Sequence, residues 1–115
     1  MHKERGVQGE AIAAYYLQKK GYILLTKNWS CKVGELDLVM QHDSTRVIVE
    51  VRLRSPTSYG AGFETVGWQK QQKLIRAAKY YQQKERYWGD IRFDVVSITL
   101  TNNKTAKIEH IDNAF

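Results

Sequence analysis

The stretch Gly34-Glu35-Leu36-Asp37-Leu38-Val39-Met40-Gln41-His42-Asp43-Ser44-Thr45-Arg46-Val47-Ile48-Val49-Glu50-Val51-Arg52-Leu53 decides the fold. In its first half Leu36, Leu38 and Met40 alternate with Glu35, Asp37 and Val39. In its second half Val47, Val49, Val51 and Leu53 alternate with Arg46, Ile48, Glu50 and Arg52. A period of two is that of a strand, and the polar His42-Asp43-Ser44-Thr45 between the halves suits a hairpin turn. With the turn centred between Asp43 and Ser44, Asp37 stands opposite Glu50 and Glu35 opposite Arg52. Those four side chains then share one face, while Leu36, Leu38, Val47, Val49 and Val51 take the other. Two carboxylates facing each other across a ladder repel unless something positive lies between them. A divalent metal meets that need, and hard carboxylate oxygens suit Mg²⁺ or Mn²⁺. The same face also accommodates a solvated surface with a Glu35–Arg52 ion pair, and a one-residue slip in register would disperse the acidic group.

On either side of this hairpin the pattern turns helical. From Gly6 to Lys20, Val7, Ala11, Ala14 and Leu17 recur at helical spacing, and Gly21 is a natural stop. At about 100° per residue, Glu10 falls among Val7, Ala14 and Leu17, inside the apolar stripe, where a carboxylate is costly unless paired or metal-bound. Tyr22 to Leu25, continuing toward Trp29, reads as a strand. After a breaker cluster at Ser55 to Gly62, which holds the single Pro56, helical spacing runs from about Trp68 to Trp88. Lys70, Leu74, Ala77 and Tyr81 form its inward stripe with Ala78 nearby, and Lys73, Arg76, Lys79, Lys84 and Arg86 fall mostly on the other side. Lys70 thus points an ammonium group toward the acidic cluster. Strands near Ile91 to Leu100 and Ala106 to Ile111 follow, joined by the turn Thr101-Asn102-Asn103-Lys104. The expected order is α-β-β-β-α-β-β, an α/β fold with one mixed central sheet flanked by helices.

At 115 residues and 13.4 kDa the chain forms one domain, 1–115, with a core at about 6–112. Eighteen Lys and Arg against 12 Asp and Glu give +6, which favours nucleic acid or another anionic partner. The 43% hydrophobic content excludes global disorder. Single Cys31 closes no intrachain disulfide, and a lone thiol suits a reducing compartment. The charged Met1-His2-Lys3-Glu4-Arg5-Gly6 has no apolar run behind it, and no stretch has the length of a membrane span. A cytoplasmic protein with no membrane partner is expected; monomer and homodimer are both open. His2, His42 and His110 lack zinc-ligand spacing, and no P-loop or dinucleotide fingerprint is present. Tyr59-Gly60-Ala61-Gly62 reads as a loop rather than a phosphate cradle.

Gln8-Gly9-Glu10-Ala11 with Ala14 and Leu17, then Lys20-Gly21-Tyr22, Asn28-Trp29 and Gly34-Glu35-Leu36-Asp37-Leu38-Val39, resemble the YraN family. Val49-Glu50-Val51-Arg52-Leu53-Arg54, Tyr59-Gly60, Lys70-Gln71 with Ala77-Ala78, and Arg92-Phe93-Asp94-Val95-Val96 continue the likeness over roughly residues 6 to 112. These small bacterial proteins are placed among the restriction-endonuclease-like, or PD-(D/E)xK, nucleases and likened to archaeal Holliday-junction resolvases. The resemblance implies that Asp37 and Glu50 match the acidic pair of the motif and that Glu10 matches an acidic residue on the first helix. It also implies that the Val51 backbone carbonyl faces the metal. Metal ligands would then be Glu10, Asp37, Glu50 and Val51, holding Mg²⁺ or Mn²⁺. Arg52 stands where the motif usually has Lys; it keeps the charge but essentially never deprotonates. The expected catalytic set is Asp37, Glu50, Arg52 and Lys70, with Arg54, Lys73, Arg76 and Lys79 gripping nucleic acid. The implied activity is metal-dependent cleavage of DNA, branched DNA included. The alternative is a nucleic-acid-binding module that keeps the fold without cutting.

Overall fold

In the computed structural model, which describes residues 2–54, 66–101 and 105–115 (without the side chains of 2–7), the first helix, α1 (His2–Lys19), ends at Gly21. Gly21 takes φ +94°, a left-handed conformation that costs glycine nothing. Its N–H donates to the Gln18 carbonyl at 3.0 Å and the Tyr22 N–H to the Leu17 carbonyl at 3.0 Å. This paired closure satisfies two carbonyls that the helix end would leave bare. Tyr22 and Leu17 are then buried together.

The chain next makes an antiparallel meander of β1 (Ile23–Cys31), β2 (Gly34–His42) and β3 (Thr45–Arg54). Helix α2 (Trp68–Glu85) carries it over to β4 (Asp90–Leu100), parallel to β3, and β5 (Ala106–Ile111) returns antiparallel. The result is one five-stranded mixed sheet in the order β1-β2-β3-β4-β5. The expected α-β-β-β-α-β-β arrangement is the one observed. The β2–β3 register is also as expected, with His42 opposite Thr45 and Leu38 opposite Val49. The turn is allowed by Asp43 at φ 54°, a conformation that Asp tolerates better than most residues.

Each helix covers one sheet face. Ala13, Ala14 and Leu17 of α1 pack on Leu38, Met40, Val47, Val49, Val96 and Ile98. Leu74, Ala77, Ala78 and Tyr81 of α2 pack on Leu36, Val39, Ile48 and Val95. Fully burying side chains such as Leu17 and Leu38 contributes about 1.5–3 kcal/mol each. Two expectations need correction. Leu36 joins the α2 cluster rather than the side of Leu38. Its cross-strand partner is Trp29, and the residue before it, Asn28 of β1, has φ 53°, a left-handed conformation that bends the strand and swings Trp29 and Leu36 toward α2. Ala11 is exposed, and Ala13 takes the buried place beside Ala14. The Pro56 loop with Tyr59-Gly60-Ala61-Gly62, and residues 102–104 of the last turn, lie outside the described residues.

A buried polar knot fixes the far end of the sheet. Asp94, with no exposed surface, accepts two bonds from Arg92 (2.9 and 3.0 Å) and one from the Asn113 N–H (3.0 Å). His110 Nε2 stands 2.7 Å from Asp94 Oδ2, and Lys20 Nζ is 2.8 Å from His110 Nδ1. Burial opposes the charge on Asp94, but the bonds from His110, Arg92 and Asn113 outweigh it and hold the carboxyl below its usual range. No helix among the described residues is long and apolar enough to cross a membrane.

Candidate metal centre and cleft

The β2–β3 ladder stops at Leu38 and Val49. One step further, the Val51 N–H donates to Asp37 Oδ2 at 2.9 Å rather than to a backbone carbonyl. A side chain thus replaces a rung, and the Asp37 carboxyl is set between the two strands at the point where their pairing ends. Glu50, 5% exposed, lies beside it. Burial pushes the Asp37 pKa up to about 8, and the negative charge of Glu50 adds to the effect; the bond from Val51 opposes it.

Helix α1 brings Glu10 to the same place. Gly9 packs beside β3: a Cβ there would stand 3.6 Å from Val51 and 3.9 Å from Leu53, ordinary van der Waals contact. Glu10 is 8% exposed. Its pKa is raised, first by burial and also by the charges of Glu35 and Glu50; a hydrogen bond with Asn28 and the charge of Lys27 pull the other way. Asn28 therefore both bends β1 and partners the buried carboxylate. Glu10, Glu35 and Asp37 each offer a carboxylate oxygen, and these oxygens lie within 4.8 Å of one another. Oxygens gathered so closely, on hard anionic donors, form a set suited to Mg²⁺ or Mn²⁺.

The opposite wall is basic. Lys70 Nζ lies 2.6 Å from Glu50 Oε2. Gln69, Lys73 and Leu74 continue that wall around a cleft of about 480 Å³, with Gly34, Glu35, Asp37 and Glu50 facing them. The structure thus lines the cleft with Asp37, Glu50, Lys70 and Lys73, while Glu10 and Val51 meet this group at Asp37. It leaves Arg52 aside: Arg52 lies level with Ser97 of β4, half-buried, and is not among the cleft walls. The Glu35–Arg52 pair expected from an unbroken ladder is absent among the described residues, because the pairing ends before reaching it. Arg54 closes β3, and Arg76 and Lys79 are exposed on α2 away from the cleft walls. Glu35 is the acidic neighbour that the strand pattern assigned to an ion pair. Its sequence signal was its position two residues before Asp37 on the same face. Asn28 gave no such signal.

These features define a class: a small α/β domain in which four carboxylates converge where two strands part, under a lysine-bearing helix. The chain belongs to the uncharacterised protein family UPF0102, whose model matches residues 9–98 and so spans Glu10, Asp37, Glu50 and Lys70. A UPF0102 protein of Syntrophomonas wolfei is 45% identical over the full length of both chains. One of Stutzerimonas stutzeri is 46% identical over 96% of this chain and 92% of its own. A third, of Pseudomonas fluorescens, is 42% identical over 99% of this chain and 94% of its own.

Proposed function

We propose that this protein is a divalent-metal-dependent nuclease acting on DNA, branched DNA included, with a site of the restriction-endonuclease-like kind and a likeness to Holliday-junction resolvases. The observation that carries the reading is the approach of Glu10, Glu35 and Asp37 oxygens to within 4.8 Å of one another, with Glu35 and Asp37 on the wall of a cleft that Lys70 and Lys73 also line. Those three residues would hold Mg²⁺ or Mn²⁺, with Glu50 adjacent. Such an ion supplies Lewis acidity toward a phosphodiester and acidifies water. The chain's own residues do the rest. Lys70 and Lys73 present positive charge to a phosphate entering the cleft. Burial and the Glu50 charge favour the protonated Asp37 carboxyl until a cation takes over the neutralisation.

The test is incubation of the full chain with linear, flapped and four-way DNA in Mg²⁺ and in Mn²⁺. Cleavage that disappears in Asp37→Asn and Glu10→Gln supports the reading; a parent protein that cuts none of the substrates overturns it. The net charge of +6 should make DNA binding fall steeply between about 50 and 200 mM salt. The Lys70–Glu50 contact of 2.6 Å favours a second reading, in which the lysine permanently neutralises the site and the protein binds nucleic acid without cutting. Salt-dependent binding with no cleavage in either metal selects that one.

A further inference from the structure

A second hollow, of about 520 Å³, lies along α2 beyond the acidic cleft and is walled by Trp29, Ser30, Cys31, Tyr80, Gln83 and Lys84. The two hollows flank one hairpin tip. Ser30 and Cys31 on the second are the cross-strand partners of Glu35 and Gly34 on the first. On α2, Lys73 and Tyr80 are seven residues apart. Two helical turns therefore place them on the same side, roughly 10 Å apart along the axis. Between the hollows Lys32, in the turn from β1 to β2, sets its ammonium 5.4 Å from the Tyr80 ring centroid. The path from the acidic cleft thus runs past Lys70 and Lys73, under Lys32, across an aromatic face, and ends beside Lys84.

Resting on the nuclease reading, we infer that this path is the track for a single, unpaired nucleic-acid strand leading to the acidic cleft, with Tyr80 as a base-stacking platform and Lys32, Lys73 and Lys84 as its phosphate contacts. Charge and aromatic character are complementary to such a strand: lysines follow a backbone of phosphates, and a half-open ring offers a face to any base. A base can lie flat on the Tyr80 ring only when it is unpaired and unstacked, so the occupant is a single strand rather than a duplex. On binding, a base takes the place of the Lys32 ammonium on the ring, and the freed lysine meets the adjacent phosphate.

Cys31, the single cysteine of the chain, lies in the second hollow and reports on its occupancy. The probe is a labelled single-stranded oligodeoxynucleotide of about 12 nucleotides, with its duplex as comparison, in EDTA so that no cutting occurs. The single strand should slow modification of the Cys31 thiol by a disulfide reagent, and the duplex should not. Tyr80→Ala should weaken single-strand binding on the order of tenfold, Tyr80→Phe should retain it, Lys32→Ala should weaken it, and Lys107→Ala on β5 should leave it unchanged. Unaltered Cys31 reactivity with the strand bound, or parental affinity in Tyr80→Ala, overturns the track. Cleavage assays in Mn²⁺ separate the two claims. Cutting without Cys31 protection removes the track and leaves the nuclease, whereas protection without cutting leaves the track and removes the chemistry.

Discussion

Lys70 of α2 and Glu50 of β3 meet at 2.6 Å, a half-exposed ammonium capping a carboxylate whose side chain is 6% exposed. Lys70 and Lys73, not Arg52, are the cations that line the cleft, and Lys70 is the one paired with Glu50. Lys70→Ala strips a buried charge of its partner, so stability should fall by about 1–2 kcal/mol, less than for a fully buried pair because the lysine is partly in water. Mn²⁺ should restore much of that loss in thermal unfolding. If the protein cleaves DNA, Lys70→Ala should abolish cleavage while Arg52→Ala retains most of it. The reverse pattern would return the role to Arg52.

Asp37 makes the metal-free protein sensitive to pH in an unusual direction. Its carboxyl titrates at about 8 in the fold against an ordinary 3.8. Between those values the native state holds a proton that the unfolded chain has released, so stability falls as pH rises from about 4 to about 8. Asp94 acts oppositely, since its lowered pKa gives stability that is lost only as pH drops below the usual carboxylate range. Asp37→Asn should therefore flatten the decline and be more stable than the parent at pH 8. Urea midpoints at pH 5 and pH 8, with EDTA present, measure both effects.

Most of this arrangement was legible because it depends on periods. The alternation around Asp43 and Ser44 sets the hairpin register, and the place of Glu10 in an apolar stripe marks a carboxylate that must be compensated. What was not legible depends on departures from a period. Asn28 adopts a left-handed conformation inside a strand, which no alternation rule anticipates, and this carries Leu36 to the other face. The end of the ladder at Leu38 and Val49 likewise frees Glu35 from Arg52 and turns it toward Glu10. A register derived from the turn says which residues would face each other, but not how far the pairing persists.

The same geometry ranks the carboxylates as metal donors. Glu10→Gln, Glu35→Gln and Asp37→Asn should each weaken Mn²⁺ binding by at least about tenfold, the range in which even an outer partner of a ligand acts. Glu50→Gln should weaken it less, because Lys70 already holds that group. Calorimetric titration of the four variants checks the order. Parental affinity in all of Glu10→Gln, Glu35→Gln and Asp37→Asn would show that the cluster is not a metal site.

The Asp94 knot should matter to the fold and not to the cleft. Asp94→Ala leaves the Arg92 guanidinium without its two bonds, His110 without its acceptor, and the Asn113 N–H without its oxygen. Breaking one member of a buried charged network typically costs about 3–5 kcal/mol, a large part of the stability of a domain this size. The β4–β5 edge should loosen first, since His110 lies on β5 and the chain segment at Asn113 follows it. Hydrogen exchange should speed up at Ile108 and Ile111 before it does at Val47 or Val49 in the sheet centre. In the fraction that remains folded, Mn²⁺ affinity at Glu10, Glu35 and Asp37 should be close to parental, because the knot shares no residue with the cleft. A variant that keeps parental stability would mean that the network is dispensable and that apolar packing alone holds β5 in place.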